Sequence, residues 1–138
     1  MSTQKIAEKA GLKGPYTYRG RKDWNKLVRD FVPEQILRKP GASLSFNRLR
    51  GAKLKAVLAK KLVEEAAEIG AALDEKSARK RRGQIAEELA DLLEVAHALA
   101  SHVGVPWNDV RAARARKLEA KGGFKKGLFL EWTLEPDP

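Results

Sequence analysis

The sequence predicts an all-α fold, in which long helices form a bundle and a short extended tail follows them. Residues 47–73 contain no proline and consist mostly of Ala, Leu, Lys and Glu, which are strong helix formers. Apolar residues recur there every three or four positions, and they do so again in residues 78–102. Gly104 with Pro106, and Gly122 with Gly123, mark the two ends of a third helical stretch.

The segment before the long helices is basic and irregular. Residues 1–23 mix glycine and proline with Lys and Arg, which predicts an N-terminal arm rather than a regular element. A single helical domain is then predicted over residues 24–138. Its first element is a short helix within Asn25–Arg38, because Pro33 is tolerated in a first turn and Pro40 ends the helix.

Two long helices are predicted next. The first covers Asn47–Leu73, and the second covers Ala78–His102, with Ser77 suited to cap its N-terminus. Gly83 costs a helix about 1 kcal/mol relative to Ala, so a later start at this residue is the alternative. Each helix has an apolar stripe that we expect to face the core: Leu58, Leu62, Ala66, Ile69 and Leu73 on the first, and Ile85, Leu89, Leu92, Ala96 and Leu99 on the second.

A third helix is predicted over Trp107–Ala120, stopped by Gly122. The tail Leu128–Leu134, with the sequence LFLEWTL, is expected to be a short strand or a packed extended segment. Two long helices and one short helix form a thin core. We therefore expect a homodimer or larger homo-oligomer, in which a second copy completes a four-helix core.

Composition and charge narrow the functional classes. The 138 residues fit one domain, and the absence of cysteine excludes disulfides, thiolate nucleophiles and Cys-ligated metals. No apolar run long enough for a membrane span and no signal peptide are present, so we expect a cytoplasmic protein.

The charge is unevenly distributed along the chain. Residues 1–60 hold 15 Lys+Arg against 4 Asp+Glu, and this basic region would attract polyanions, nucleic acid included. Residues 61–100 are acidic, with 6 against 9.

The acidic region contains two near copies of one octapeptide, LVEEAAEI at 62–69 and IAEELADL at 85–92. In each copy, two of the acidic residues are three positions apart, and they lie about 60° and 120° from the first residue of the octapeptide on a helical wheel. These residues are Glu65 and Glu68 in the first copy, and Glu88 and Asp91 in the second. If the helices pack antiparallel, four carboxylates converge, and they repel one another unless protons or a cation lie among them. Oxygen ligands suit Mg²⁺ or Mn²⁺. The alternative is an ordinary solvated helix surface.

Other catalytic schemes fit less well. Glu94 and His97 match the Glu-x-x-His motif of di-iron bundles, but such a site needs two of these motifs, and both residues are expected on a solvated face. Ser101 has no neighbour that would activate it as a nucleophile, and no Gly-rich P-loop is present.

KLVEEAAE at 61–68, followed by EELAD at 87–91, resembles the metal motif of the MazG-like nucleotide pyrophosphohydrolases, an all-α superfamily that includes phosphoribosyl-ATP pyrophosphohydrolase. KLVRDFVPE at 26–34 and KGGF at 121–124 resemble the flanking segments of a small phosphoribosyl-ATP pyrophosphohydrolase-like branch. The resemblance covers about residues 24–130. Phe31 and Lys121 depart from the usual Lys and Arg of that branch, and these departures bear on the substrate rather than on the chemistry.

The resemblance implies that four residues bind Mg²⁺, for which Mn²⁺ can substitute: Glu65, Glu68, Glu88 and Asp91. It also implies hydrolysis of a (deoxy)nucleoside triphosphate between its α and β phosphates to NMP and pyrophosphate, as a house-cleaning reaction. The alternative substrate is phosphoribosyl-ATP. A carboxylate that the metal does not fully use would accept the proton of the attacking water, and the candidates are Glu64 and Glu65.

Basic residues are expected to hold the phosphates beyond the metal. Lys61 lies one turn before Glu65 on the same side of its helix. The other candidates are Lys26 and Arg29 from the KLVRD segment, and Arg114, Lys117 and Lys121 at helical spacing. The competing class is a non-enzymatic basic module that binds nucleic acid through residues 1–60. It leaves the paired carboxylates unexplained, because they repel phosphates unless a cation intervenes.

Overall fold

The structure is a computed structural model that describes residues 20–137. Regular structure in this part of the chain consists of four helices, and it contains no strand. The helices are α1 (Val32–Leu37), α2 (Gly51–Ala72), α3 (Ala78–His102) and α4 (Trp107–Lys121). The predicted all-α fold is therefore confirmed. Residues 1–19 of the predicted arm lie outside the described residues. None of the four helices has the length and apolarity that a bilayer crossing requires.

The chain divides into two compact units, with the boundary between Glu64 and Glu65 inside α2. In the first unit, α1 lies within Asn25–Arg38, as predicted, and it begins at Val32. Asn25 has a φ of +44°, which a right-handed helix does not accommodate. Pro33 then lies in the first turn, where its missing N–H leaves no hydrogen bond unmade.

The start of α3 in the second unit follows the prediction. Ser77 is the N-cap, and its side chain accepts a hydrogen bond from the backbone N–H of Lys80 at 3.4 Å. The Arg81 guanidinium donates to the carbonyl oxygen of Glu75 at 2.9 Å, which ties the preceding turn to the helix. The alternative start at Gly83 is wrong, because the helix is already hydrogen-bonded at that residue.

The turn between α3 and α4 is held by aromatic packing. Gly104 has a φ of +75°, and its N–H donates to the carbonyl of Ser101 at 3.2 Å. The Trp107 ring stacks on the His97 ring, with 3.4 Å between centroids and 26° between planes. His97 is therefore half-buried, and the solvated face expected for it is wrong, whereas Glu94 is exposed as predicted.

Burial in the second unit follows the predicted apolar stripes of α2 and α3 only in part. Three residues assigned to the stripes are exposed: Ala66, Leu73 and Leu89. The buried apolar side chains of this unit are Ala72, Val95 and Ala100. The reason is that each helix is apolar on two neighbouring faces, and the face next to the carboxylates is the one that packs inward. The remaining stripe residues of this unit are half-buried: Ile69, Ile85, Leu92, Ala96 and Leu99.

The C-terminal tail is extended and exposed. Residues 128–137 carry no helix or strand, and the fractional exposure of their large apolar side chains ranges from 76% to 92%. The short extended tail is therefore present, but neither a strand nor a packed segment is observed, because no described residue covers it.

Candidate active site

Three of the four predicted metal ligands meet in the second unit. Glu65 is the first residue of the part of α2 that belongs to this unit, and Glu88 and Asp91 lie one turn apart on α3. One carboxylate oxygen from each residue lies within 4.8 Å of the other two. We call Glu65, Glu88 and Asp91 the carboxylate cluster.

The cluster is partly shielded from water. The Glu65 side chain is only 5% exposed, and Glu88 and Asp91 are half-buried. The Oε2 atom of Glu88 is buried, and no donor among residues 20–137 forms a hydrogen bond with it. A buried carboxylate oxygen without a donor is unfavourable, unless a proton or a cation compensates for the lost hydration.

The electrostatics of the cluster favour a bound proton or cation. The pKa of Glu88 is raised to about 7, chiefly by a carboxyl–carboxyl hydrogen bond with Glu68, then by burial and by repulsion from the Glu68 charge. A hydrogen bond to Glu65 and repulsion from its charge raise the pKa of Glu88 further. Because the available donors are all carboxylate oxygens, the cluster can hold a hard divalent metal ion.

The fourth predicted ligand, Glu68, lies beside the cluster rather than within it. Glu68 and Glu88 line an open cavity of about 290 Å³. The cavity therefore shares Glu88 with the carboxylate cluster. Its remaining lining residues are Ala71, Ala72 and Gln84.

These three lining residues were not predicted from the sequence. Gln84 lies one turn before Glu88 on α3, and Ala71 and Ala72 lie one turn after Glu68 on α2. Helical spacing from the acidic pairs would have identified them, because residues three or four apart share a face. The small alanine side chains leave the space that the cavity occupies.

The other predicted site residues are not part of the cavity lining. Glu64 is exposed on α2, and Lys61 is half-buried one turn before Glu65. The remaining basic candidates are exposed, in the extended segment before α1 or along α4: Lys26, Arg29, Arg114, Lys117 and Lys121. Lys26 places its Nζ atom 4.5 Å from the centroid of the Trp24 ring. The catalytic and substrate-binding roles of these residues remain predictions.

Comparison with known proteins identifies a family. Residues 32–117 match the family model of phosphoribosyl-ATP pyrophosphohydrolase. The match spans more than half of the chain and includes the carboxylate cluster, Glu68 and the whole cavity lining. No curated protein and no solved structure matches the chain. The chain therefore belongs to the phosphoribosyl-ATP pyrophosphohydrolase family, a family of hydrolases within the MazG-like superfamily that act on phosphoric anhydrides.

Proposed function

We propose that this protein is a Mg²⁺-dependent nucleoside triphosphate pyrophosphohydrolase. It cleaves the α–β phosphoanhydride of a (deoxy)nucleotide to NMP and pyrophosphate, in a house-cleaning role in the cytoplasm. The observation that carries the proposal is the carboxylate cluster, which lies next to a cavity and in which Glu88 has a raised pKa. Phosphate groups are attracted to such a site only when a cation neutralises the carboxylates.

The metal would be held by Glu65, Glu88 and Asp91, with Glu68 at the edge of the site. A divalent ion here would neutralise phosphate oxygens and lower the pKa of a bound water molecule. Mg²⁺ suits the oxygen donors, and Mn²⁺ is the expected substitute. The buried Oε2 atom of Glu88 supports this assignment, because a cation would compensate it.

Of the two candidates for the general base, Glu65 is the better supported. Its carboxylate is buried within the cluster, whereas that of Glu64 is exposed on the same helix. A general base must come within hydrogen-bond distance of the attacking water, directly or through one intervening water. Glu64→Gln should therefore keep most of the activity, and Glu65→Gln should lose it.

The phosphates beyond the metal would be held by basic side chains. Lys61 is the leading candidate, because it lies one turn from Glu65 and is half-buried. Lys26, Arg29, Arg114, Lys117 and Lys121 complete the proposed set.

Two alternatives share some of this evidence. Phosphoribosyl-ATP is supported as the substrate by the name of the matched family, and its hydrolysis breaks the same kind of bond. A nucleic-acid-binding role through the basic residues 1–60 is supported by their charge alone.

We also propose that the protein forms a homodimer or a larger homo-oligomer. Support comes from exposed leucines of the second unit: Leu73, directly after α2, is 60% exposed, and Leu93 on α3 is 53% exposed. Exposed leucines on neighbouring helices favour an interface with a second copy.

A product assay tests the function. Purified protein would be incubated with a panel of dNTPs, NTPs and phosphoribosyl-ATP, in the presence of Mg²⁺, Mn²⁺ or EDTA, and the phosphate products would be resolved. We expect NMP and pyrophosphate from at least one triphosphate, and loss of turnover with EDTA and in Asp91→Asn. Glu87→Gln is the matched control, because Glu87 is exposed beside Glu88. Turnover of phosphoribosyl-ATP alone would select that substrate, and no turnover of any nucleotide would contradict the proposal.

A further inference from the structure

The extended tail has the side-chain pattern of a β-strand with one apolar face. In residues 128–135, LFLEWTLE, the even positions are all apolar and the odd positions from 131 onward are polar. The even side chains are Leu128, Leu130, Trp132 and Leu134, and they are 85%, 77%, 76% and 92% exposed. Successive side chains of an extended chain point to opposite faces, so these four lie on one face. An apolar face of this size, in full contact with water, calls for a partner surface.

The backbone of the tail is also available for pairing. Among the described residues, the last backbone hydrogen bond before the C-terminus is from Gly127 N–H to the carbonyl of Phe124, at 3.2 Å. Residues 128–135 therefore present a row of unpaired N–H and C=O groups, and Pro136 ends the row. An extended segment of this kind recruits another strand by edge pairing.

The charges around the tail favour a second copy of the same chain as that strand. Lys125 and Lys126 precede the segment, Glu135 is its last residue, and Asp137 follows it. When two copies run antiparallel, the basic start of each segment lies near the acidic end of the other. The apolar face is self-complementary as well, because an antiparallel pair with even positions opposite even positions brings both apolar faces to one side.

We propose that the tail pairs antiparallel with the tail of a second copy, with Trp132 on the two-fold axis, so that residues 129–135 of the two copies lie opposite one another. Leu130 then lies opposite Leu134, and Glu131 lies opposite Thr133. The register centred on Glu131 would place this carboxylate opposite itself, and like charges in direct cross-strand contact are unfavourable. A register shifted by one residue would place apolar residues opposite polar ones on both faces.

The paired strands have an apolar surface to cover. A two-stranded ribbon is marginal in water unless its apolar face packs on another layer. The helices of the second unit expose Leu89, Leu93 and Leu118 at 49%, 53% and 57%. The proposal therefore assigns the tail to the assembly interface of this protein.

The absence of native cysteine makes the register directly testable, because every disulfide then involves an introduced residue. Glu131→Cys and Thr133→Cys would be mixed in equal amounts and mildly oxidised, and the linked peptides would be identified by mass spectrometry. We expect the 131–133 disulfide to exceed both the 131–131 and the 133–133 products by about tenfold or more, because only directly opposite residues have Cα atoms close enough for a disulfide. No cross-link, equal yields of the three products, or a dominant 131–131 or 133–133 product would overturn the proposal.

Matched lysine variants test the apolar face. Leu130→Lys, introduced into both cysteine variants, should reduce the 131–133 disulfide to the background level of random collisions. Phe129→Lys is the control, because Phe129 is 91% exposed on the opposite face and would lie across from Glu135. Circular dichroism of each variant would verify that the helices remain folded. Equal cross-linking in the two lysine variants would contradict an apolar tail interface.

Discussion

Glu88 is the residue whose environment says most about the site. Its pKa is raised to about 7 by a hydrogen bond with Glu68, by burial and by the charges of Glu68 and Glu65. A metal ion that binds at pH 6 therefore has to displace a proton from Glu88. At pH 8 the same carboxylate is already ionised and needs no deprotonation.

The first prediction concerns proton release. Mg²⁺ or Mn²⁺ binding should release close to one proton at pH 6 and almost none at pH 8, and affinity should rise between these values. Calorimetric titrations in buffers with different ionisation enthalpies measure the number of protons. Glu87→Gln should behave like the wild type, whereas Glu88→Gln should release no proton. Binding without proton release at pH 6 in the wild type would show that Glu88 is not a ligand.

The second prediction concerns stability and pH. Because the folded-state pKa of Glu88 lies above its ordinary value of 4.5, the folded protein binds more protons than the unfolded chain between pH 4.5 and 7. The free energy of unfolding of the metal-free protein should therefore fall as pH rises through this window and level off above it. Urea unfolding in EDTA at several pH values measures the slope. The contribution of Glu88 to this slope should be absent in Glu88→Gln. Equal slopes in the wild type and the variant would contradict the prediction.

The third prediction separates stability from activity at Asp91. Asp91→Asn removes one negative charge from the carboxylate cluster, so the metal-free protein should become more stable. The same change should weaken metal affinity at least about tenfold and reduce turnover, because it removes a ligand. On one preparation, urea unfolding measures the free energy of unfolding, and metal titration measures the metal affinity. A variant that is less stable and fully active would contradict the assignment.

At the scale of the helical element, two glycines lie at positions where glycine lowers the stability of a helix. Gly70 lies inside α2 and Gly83 inside α3, and glycine in a helix interior is unfavourable relative to Ala. A Cβ atom added at either position would meet no other atom within 4 Å. Neither glycine therefore makes room for a close contact within the described chain.

The fourth prediction follows from the absence of neighbouring atoms around Gly83. Gly83→Ala should raise the free energy of unfolding by about 0.5–1 kcal/mol. Gly104→Ala is the control and should lower it, because Gly104 has a φ of +75°. Denaturant unfolding of both variants provides the measurement. A loss of stability in Gly83→Ala would mean that a second copy packs closely against this part of α3.

At the scale of the whole molecule, the small buried core points to assembly. Among residues 20–137, the buried apolar residues are Leu58, Ala72, Val95 and Ala100, and a chain of this length ordinarily buries far more apolar surface. The exposed leucines of α3, Leu89 and Leu93, lie one turn apart on one face. This face should meet a second copy if the protein is a homo-oligomer.

The fifth prediction tests this face. Leu93→Lys should shift the protein toward smaller species, because a lysine cannot be buried without a partner. Glu94→Lys is the matched control, since Glu94 is the exposed neighbour of Leu93 and receives the same new residue. Sedimentation velocity over a range of concentrations measures the shift. The same mass distribution for both variants would exclude the Leu89–Leu93 face from the interface.

The sequence by itself determined the helices and the acidic pairs. Ser77, Gly104 and Gly122 bound their elements locally, because caps and left-handed turns depend on a few neighbouring residues. The first helix also lies within its predicted segment, with Pro33 in the first turn. The repeat of the octapeptide predicted that four acidic residues converge if the helices pack antiparallel, and three of them, Glu65, Glu88 and Asp91, form the carboxylate cluster.

Only the tertiary structure decided which face of each helix is inside. α2 and α3 are apolar over two neighbouring faces, so periodicity could not distinguish the buried Val95 from the exposed Leu89. Which face is buried depends on what packs against the helix. In this structure the buried face includes Glu65, and Glu68 lines the cavity. The raised pKa of Glu88 has the same origin, because charge repulsion and desolvation arise only when distant parts of the chain come together.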